Sequence, residues 1–208
     1  MEEKKISEQE SLELITRMIN QTKKDLSVGN GDSFLMWGYL SAAISLAVIV
    51  MLLATNDPRY AWLYMVIPIA GFTASGIKTY KAKRKSHVAS TYASNTINNV
   101  WAIISAVFAV YAISCLLHFG EVRSWNGMFL LGMLLPGIGT YTTGEILKEK
   151  SIQMCGLLGV VIGTGLLRYF VCGEQVISIM QMGQMVLSFV ITLIIPGHIL
   201  NFKAKKQQ

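Results

Sequence analysis

The chain has 208 residues, of which 52% are hydrophobic and 14% are charged, and its formal net charge is +6. Soluble domains carry about 25% charged residues, so this composition excludes an ordinary soluble domain and favours a chain whose solvent is lipid. The positive charge requires no nucleic-acid partner, because membrane topology and contact with anionic lipid account for it.

Residues 1–33 are rich in charge and contain no long apolar run, so we expect a cytoplasmic element here rather than a cleavable signal peptide. Apolar residues at helical spacing predict an amphipathic helix over residues 8–27. The apolar stripe of this helix consists of Ile15, Met18, Ile19 and Leu26. Because its polar face is mixed in charge and it lacks bulky aromatic residues, we expect the stripe to dock on protein. That protein is its own bundle, a second copy of the chain, or a cytoplasmic partner. The alternative is that the helix lies on the membrane surface.

Gly29 and Gly31 are predicted to end this helix, and a transmembrane domain follows over residues 34–203, with a short cytoplasmic tail at 204–208. The domain contains six uncharged runs, which cover residues 34–54, 60–77, 100–117, 125–144, 151–167 and 175–197. Each run is close to the roughly 20 residues that a helix needs to cross about 30 Å of hydrocarbon. The sequence therefore predicts an all-α, six-transmembrane-helix bundle.

The basic residues predict the orientation of this bundle. Of the 18 lysines and arginines, all except Arg59, Arg123 and Arg168 lie in the N-terminal segment or just after the second, fourth and sixth spans. Positively charged short segments stay on the cytoplasmic side. Both termini are therefore expected in the cytoplasm, and the lipid bilayer is the expected partner.

The second and fourth spans share the pattern P-x-x-G-x-x-x-x-G. Pro68, Gly71 and Ser75 of the second span align with Pro136, Gly139 and Thr143 of the fourth. Trp37 aligns with Trp101 in the odd spans, and the sixth span ends with Pro196 before its lysines. This pattern predicts three helical-hairpin repeats, over about residues 34–80, 96–148 and 151–203.

Proline removes a helical hydrogen bond and kinks a helix, whereas glycine lets helix backbones approach closely, as Gly159 and Gly163 are expected to do in the fifth span. These residues favour a tightly packed, kinked bundle. The alternative is a binding site where broken helices meet near mid-membrane. Its candidate polar lining is Pro68, Gly71, Ser75, Pro136, Gly139, Thr140, Thr143 and Glu145.

Glu145 is the carboxylate most closely joined to a predicted span. We expect it to pair with Lys148 near the membrane surface. In the alternative interpretation, Glu145 lines a cation or proton path with Thr140, Tyr141 and Thr143, because an ionisable group within a membrane often has a function.

The sequence contains no nucleophilic triad, no H-E-x-x-H motif and no phosphate-binding glycine loop. The three histidines offer no metal-ligand spacing. Met180, Met182 and Met185 are expected to fill a core rather than bind a soft metal. We therefore expect a non-enzymatic protein with no catalytic residue, no metal and no cofactor.

Several short motifs recur in known membrane proteins. They are Glu10-Ser11-Leu12, Leu35-Met36-Trp37-Gly38-Tyr39-Leu40, Gly137-Ile138-Gly139-Thr140 and Ile194-Ile195-Pro196-Gly197. In these motifs the chain resembles a family of six-helix integral membrane proteins common in Bacteroidetes. The resemblance implies a six-helix fold and a bacterial inner-membrane location, and it brings no activity or catalytic residues.

The expected function is thus that of a multi-pass inner-membrane protein with a regulatory or envelope-related role, exerted through the N-terminal helix. The alternative is a small-solute or ion transporter that uses the breaks at Pro68 and Pro136. A hydrated polar cavity reaching Gly71 and Gly139 would favour the transporter, and a dry, packed interior would count against it.

Overall fold

A computed structural model describes residues 8–85, 92–117, 122–171 and 178–206, and all its regular elements are helical. In chain order they are α1 (Glu8–Thr55), a 3₁₀ helix (Pro58–Met65), α2 (Val66–Lys85), α3 (Tyr92–Leu117), α4 (Val122–Leu147), α5 (Lys150–Val171), α6 (Ile179–Phe189), a π-helix (Val190–Ile194) and α7 (Ile195–Lys206). The all-α prediction is confirmed for this part of the chain.

Four helical segments are long and apolar enough to cross a membrane: Gly31–Thr55, Arg59–Lys81, Tyr92–Leu117 and Ile179–Lys206. They contain the first, second and third predicted spans, and residues 179–197 of the sixth, which was predicted over residues 175–197. The fourth and fifth predicted spans fall in α4 and α5, which are 26 and 22 residues long. The chain is therefore a helical membrane protein.

Helix α1 continues through Gly29 and Gly31, so the predicted helix end at these glycines is wrong. Glycine lowers helix stability by only about 1 kcal/mol relative to alanine, and Gly31 serves a different purpose. A Cβ atom at Gly31 would lie 3.0 Å from the Gly197 carbonyl oxygen, so the residue allows α1 and α7 to touch. Beside this contact, Asn201 Nδ2 donates a hydrogen bond of 2.8 Å to Asp32.

The predicted docking stripe lies on the N-terminal part of α1. The backbone of this part is helical, as predicted. The side chains of Ile15, Met18, Ile19 and Leu26 lie outside the part of the structure that is described.

The packing divides the bundle into a core and two arms. α1 packs on α6, the π-helix and α7, and α4 packs on α5 over a long contact. α2 joins this core through α1, and α3 joins it through α4. Within the described ranges, no extended packing connects α2 with α3. Accordingly, within an apolar stretch of 18 residues in each span, only 6% of the residues are buried in Arg59–Lys81 and 11% in Tyr92–Leu117, against 44% in Ile179–Lys206.

Polar contacts join several helix ends at one end of the bundle, which we call the basic end. Lys78 Nζ, near the end of α2, donates a 3.0 Å hydrogen bond to Ser33 Oγ of α1. Lys203 of α7 forms an ion pair with Glu149, which precedes α5. The N-terminus of α3 and the turn from α4 to α5 lie at this same end.

Glycines allow α4 and α5 to pack with their backbones in contact. A Cβ atom at Gly156 would lie 2.3 Å from the Tyr141 amide nitrogen, and one at Gly137 would lie 2.9 Å from the Val160 amide nitrogen. Gly163, as predicted, also packs closely, because a Cβ there would lie 2.7 Å from a methyl carbon of Leu134. The longest helix contact of the bundle therefore depends on positions without side chains.

Gly156→Ala is expected to destabilise the bundle by about 1–3 kcal/mol, since the added methyl group meets backbone that cannot move aside. Gly165→Ala in the same helix is the matched control, because no atom lies within 4 Å of its Cβ position. Thermal unfolding in detergent measures both. Equal melting temperatures for the two variants would contradict the proposed role of Gly156.

Candidate functional site

A cavity of about 470 Å³ lies between the two arms of the bundle. Ligand sites usually have volumes of about 300–1,000 Å³. Its walls come from α1, the 3₁₀ helix and α2 on one side and from α3 on the other, and α4, α6 and the π-helix form its back. The α1 and α3 walls include Ser33, Phe34, Trp37, Ser41, Ile97, Asn98, Trp101, Ile104, Ser105, Phe108 and Cys115.

The α3 wall shows how far the cavity extends. Asn98, Trp101, Ser105 and Phe108 follow each other at intervals of three or four residues, so they share one face of the helix. From Asn98 to Cys115 this face is about 26 Å long, which is most of the roughly 30 Å of a bilayer core. Apart from a few serines and Asn98, the lining is apolar or aromatic, so the cavity suits a long apolar group rather than an ion.

Two tryptophans of the cavity wall form corresponding hydrogen bonds. Trp37 Nε1 on α1 donates to Ser75 Oγ on α2 at 3.2 Å. Trp101 Nε1 on α3 donates to Thr143 Oγ1 on α4 at 3.1 Å. Each indole thus ties an odd helix to the even helix that follows it, and each such bond contributes roughly 0.5–1.5 kcal/mol.

Glycines on the even helices make room for these indoles. A Cβ atom at Gly71 would lie 2.2 Å from the Trp37 ring, and one at Gly139 would lie 3.2 Å from the Trp101 ring. Neither glycine lines the cavity. The indoles therefore separate Gly71 and Gly139 from the cavity.

Two of the three prolines in the predicted even spans lie where the type of helix changes. Pro68 is the third residue of α2, directly after the 3₁₀ helix, and Pro196 is the second residue of α7, directly after the π-helix. Pro136 lies inside α4, which is α-helical on both sides of it. Pro68 and Pro136 line the cavity, so two of the eight candidate lining residues are on its wall.

The hydroxyl of Thr140 bonds to a carbonyl of the π-helix just before Pro196. In a regular α-helix the amide of residue 196 would bond to the carbonyl of Thr192, but proline has no N–H group. Thr140 Oγ1 instead donates to the Thr192 carbonyl oxygen at 2.7 Å, in a fully buried position. Thr140 therefore has a structural hydrogen bond and does not face the cavity.

Thr143 and Ser75 are also engaged in helix contacts. Thr143 Oγ1 donates to the Gly139 carbonyl oxygen of its own helix at 2.7 Å while it accepts the hydrogen bond from Trp101. Ser75 accepts the hydrogen bond from Trp37. These two hydroxyl groups therefore form hydrogen bonds that hold helices together, as the interpretation as a tightly packed, kinked bundle expects.

Glu145 lies at the basic end, exposed, and away from the cavity. The expected pairing with Lys148 is wrong: Gln153 Nε2 donates to Glu145 Oε2 at 2.8 Å, and no ion pair joins Glu145 to Lys148 in the described part of the chain. Lys148 adopts a left-handed backbone with φ of 55°, and the Glu149 amide bonds to the Gly144 carbonyl at 2.8 Å. Lys148 thus closes helix α4 with its backbone rather than neutralising the carboxylate.

The methionines near α6 divide between core and surface. Met182 and Met185 are buried in the hydrophobic core, whereas Met180 is 76% exposed. Gln181 is buried because it forms a capping box with Ser178 at the start of α6. The S-x-x-Q pattern is a sequence signal for this cap, and our sequence interpretation missed it. The described residues contain no group of three metal-ligating side chains.

Comparisons of the chain with protein-family models, with curated proteins and with solved structures find no match. The function is therefore argued from the geometry of the cavity and its surroundings.

Thr140→Val is expected to destabilise the bundle by about 1–3 kcal/mol, since it leaves the Thr192 carbonyl without a partner in a dry interior. In a Pro196→Ala background the same substitution should cost less, because the new amide can bond that carbonyl. Thr142→Val is the matched control, because the Thr142 hydroxyl bonds only to carbonyls of its own helix. Thermal unfolding of the double-mutant cycle measures the coupling, and an equal cost in both backgrounds would contradict it.

Proposed function

We propose that the chain is a non-enzymatic, multi-pass protein of the bacterial inner membrane whose cavity binds the apolar chain of an amphiphile. The observation that carries this proposal is the apolar cavity itself, which runs most of the length of α3 and is bordered by two arms that have no extended packing on each other in the described ranges. A gap between arms that lie in lipid is open to the acyl chains around it.

Six spans, with both termini in the cytoplasm, form part of this proposal. α4 and α5 are long enough to cross the bilayer beside the four strongly apolar segments. The contacts of Lys78 and Lys203 bring the basic residues of α2 and α7 to the same end of the bundle. Such an end is expected on the cytoplasmic side.

Three hairpin repeats are also proposed. The first two hairpins make the same tryptophan–hydroxyl hydrogen bond and place glycine under the same indole, as described for Trp37 and Trp101. Equivalent contacts at positions that align in sequence support a common origin. The third hairpin retains the proline, Pro196, and not the tryptophan.

The position of helix α1 is the reason to propose a regulatory role for the binding of an acyl chain. Its residues 33–41 contribute to the cavity wall, and the same helix continues without a break to Glu8. We propose that binding of an acyl chain in the cavity changes how this helix contacts a cytoplasmic partner or a second copy of the protein.

The alternative function is transport of a small solute or ion. The position of Pro68 and Pro136 on the cavity wall favours it, because proline breaks allow helices to move. The apolar lining, and the indoles that cover Gly71 and Gly139, count against it.

Binding of an acyl chain in the cavity is tested by tryptophan fluorescence, because Trp37 and Trp101 line the cavity. Phosphatidylcholine with brominated acyl chains, added to the protein in unbrominated detergent, is expected to quench tryptophan emission. Gly132→Leu should weaken this quenching about tenfold, since the new side chain displaces about two methylenes, worth about 1.6 kcal/mol.

Gly132 is suited to this test because it lines the cavity and its Cβ position has no neighbour closer than 3.9 Å. Gly183→Leu is the matched control, since nothing lies within 4 Å of that position and it is not on the wall. Equal quenching of the two variants would exclude the cavity as the binding site.

The orientation is tested by cysteine labelling in a variant without the native cysteines. Arg59→Cys is expected to react with a membrane-impermeant maleimide in intact cells, and Lys81→Cys only after permeabilisation, because these exposed positions lie at opposite ends of one span. Labelling of Lys81→Cys from outside would reverse the proposed topology.

A further inference from the structure

The cavity changes in character where it meets the basic end. Ser33 and Asn98, from α1 and α3, are polar residues on its wall there. The contact between Phe34 and Trp101, with ring centroids 5.2 Å apart, holds these two helices close to each other next to this end. The cavity thus has polar groups at this end and a mainly apolar length, in which Ser41 and Ser105 lie among apolar and aromatic residues, and this arrangement suits an amphiphile.

A lysine lies at this polar end. Lys78 Nζ donates a hydrogen bond to Ser33 Oγ at 3.0 Å, and Ser33 is part of the cavity wall. The acidic group beside it, Asp32, accepts a hydrogen bond from Asn201 on the side of α7. Lys81 follows one turn later in α2, so α2 brings positive charge to the mouth of the cavity.

We propose that this end of the cavity binds the phosphate group of an anionic phospholipid, one of whose acyl chains occupies the cavity between α2 and α3. This inference rests on the proposed function and adds the class of ligand to it. Basic pockets between transmembrane helices on the cytoplasmic side are suited to anionic headgroups. Lys78 supplies the charge, and the side-chain amide of Asn98 supplies hydrogen-bond donors for the phosphate oxygens.

The open side of the cavity leaves room for the second acyl chain of the phospholipid to remain in the bilayer. Since α2 and α3 lack extended packing along their described lengths, a lipid can place one chain in the cavity and leave the other in the bilayer. A phospholipid can thus enter sideways, without leaving the leaflet next to the basic end.

The test compares phosphatidylglycerol and phosphatidylcholine with the same brominated acyl chains, each titrated into the purified full-length protein in detergent. Quenching of tryptophan fluorescence reports chain entry. We expect the anionic lipid to half-saturate at an about tenfold lower mole fraction than the zwitterionic lipid. Lys78→Gln should abolish this difference.

Lys150→Gln is the matched control, because it removes the same charge at the basic end from an exposed residue outside the cavity wall, and it should preserve the preference. If Lys78→Gln keeps the wild-type preference for the anionic lipid, or if Lys150→Gln loses this preference equally, the proposed headgroup site is wrong. Binding of the acyl chain in the cavity is not contradicted by either result. If neither lipid quenches the wild type more than it quenches Gly132→Leu, the proposed function itself fails.

Discussion

Lipid offers no hydrogen bond to a polar backbone atom, so every group freed inside this bundle has to find its partner within the protein. The Thr192 carbonyl, in the π-helix just before Pro196, receives the hydroxyl of Thr140 from α4 at 2.7 Å. This bond allows α7 to start with a proline directly after a π-helix. The absence of a side chain at Gly159 makes the close approach possible, because a Cβ there would lie 2.1 Å from a Thr192 methyl carbon.

The same constraint explains why the molecule has both a tight core and a cavity. Helices α4 and α5 approach through glycines until their backbones touch, and their polar atoms are shielded by that contact. Helices α2 and α3 are instead attached to their neighbours by large indoles, those of Trp37 and Trp101. An indole occupies more space than a glycine contact, and both indoles line the cavity. The gap between the arms thus follows from the kind of residue that attaches each arm.

The helices could be predicted from the sequence because charges are excluded from hydrocarbon, and uncharged runs of about 20 residues mark where the chain meets it. The continuity of α1 could not be predicted in this way. Local propensity favours a helix end at Gly31, whereas the contact with Gly197 that gives this glycine its role comes from the other end of the chain.

The candidate site could be predicted only in part. The alignment of Trp37 with Trp101 and of Ser75 with Thr143 singled out four residues that do form two equivalent pairs. The cavity between α2 and α3 left no signal, because in a membrane protein the faces towards lipid and towards a bound chain are equally apolar. The periodicity of apolar residues distinguishes the buried face of a helix from its exposed face only where the solvent is water.

Helix α1 is continuous over 48 residues, although only its second half is apolar enough to span the membrane. The first half, from Glu8 to residue 30, is about 35 Å long at 1.5 Å per residue. This half lies beyond the Gly31–Gly197 contact, where α1 and α7 touch. A change of about 5° in the inclination of the spanning half would move Glu8 by about 3 Å, which is the difference between a contact made and a contact broken.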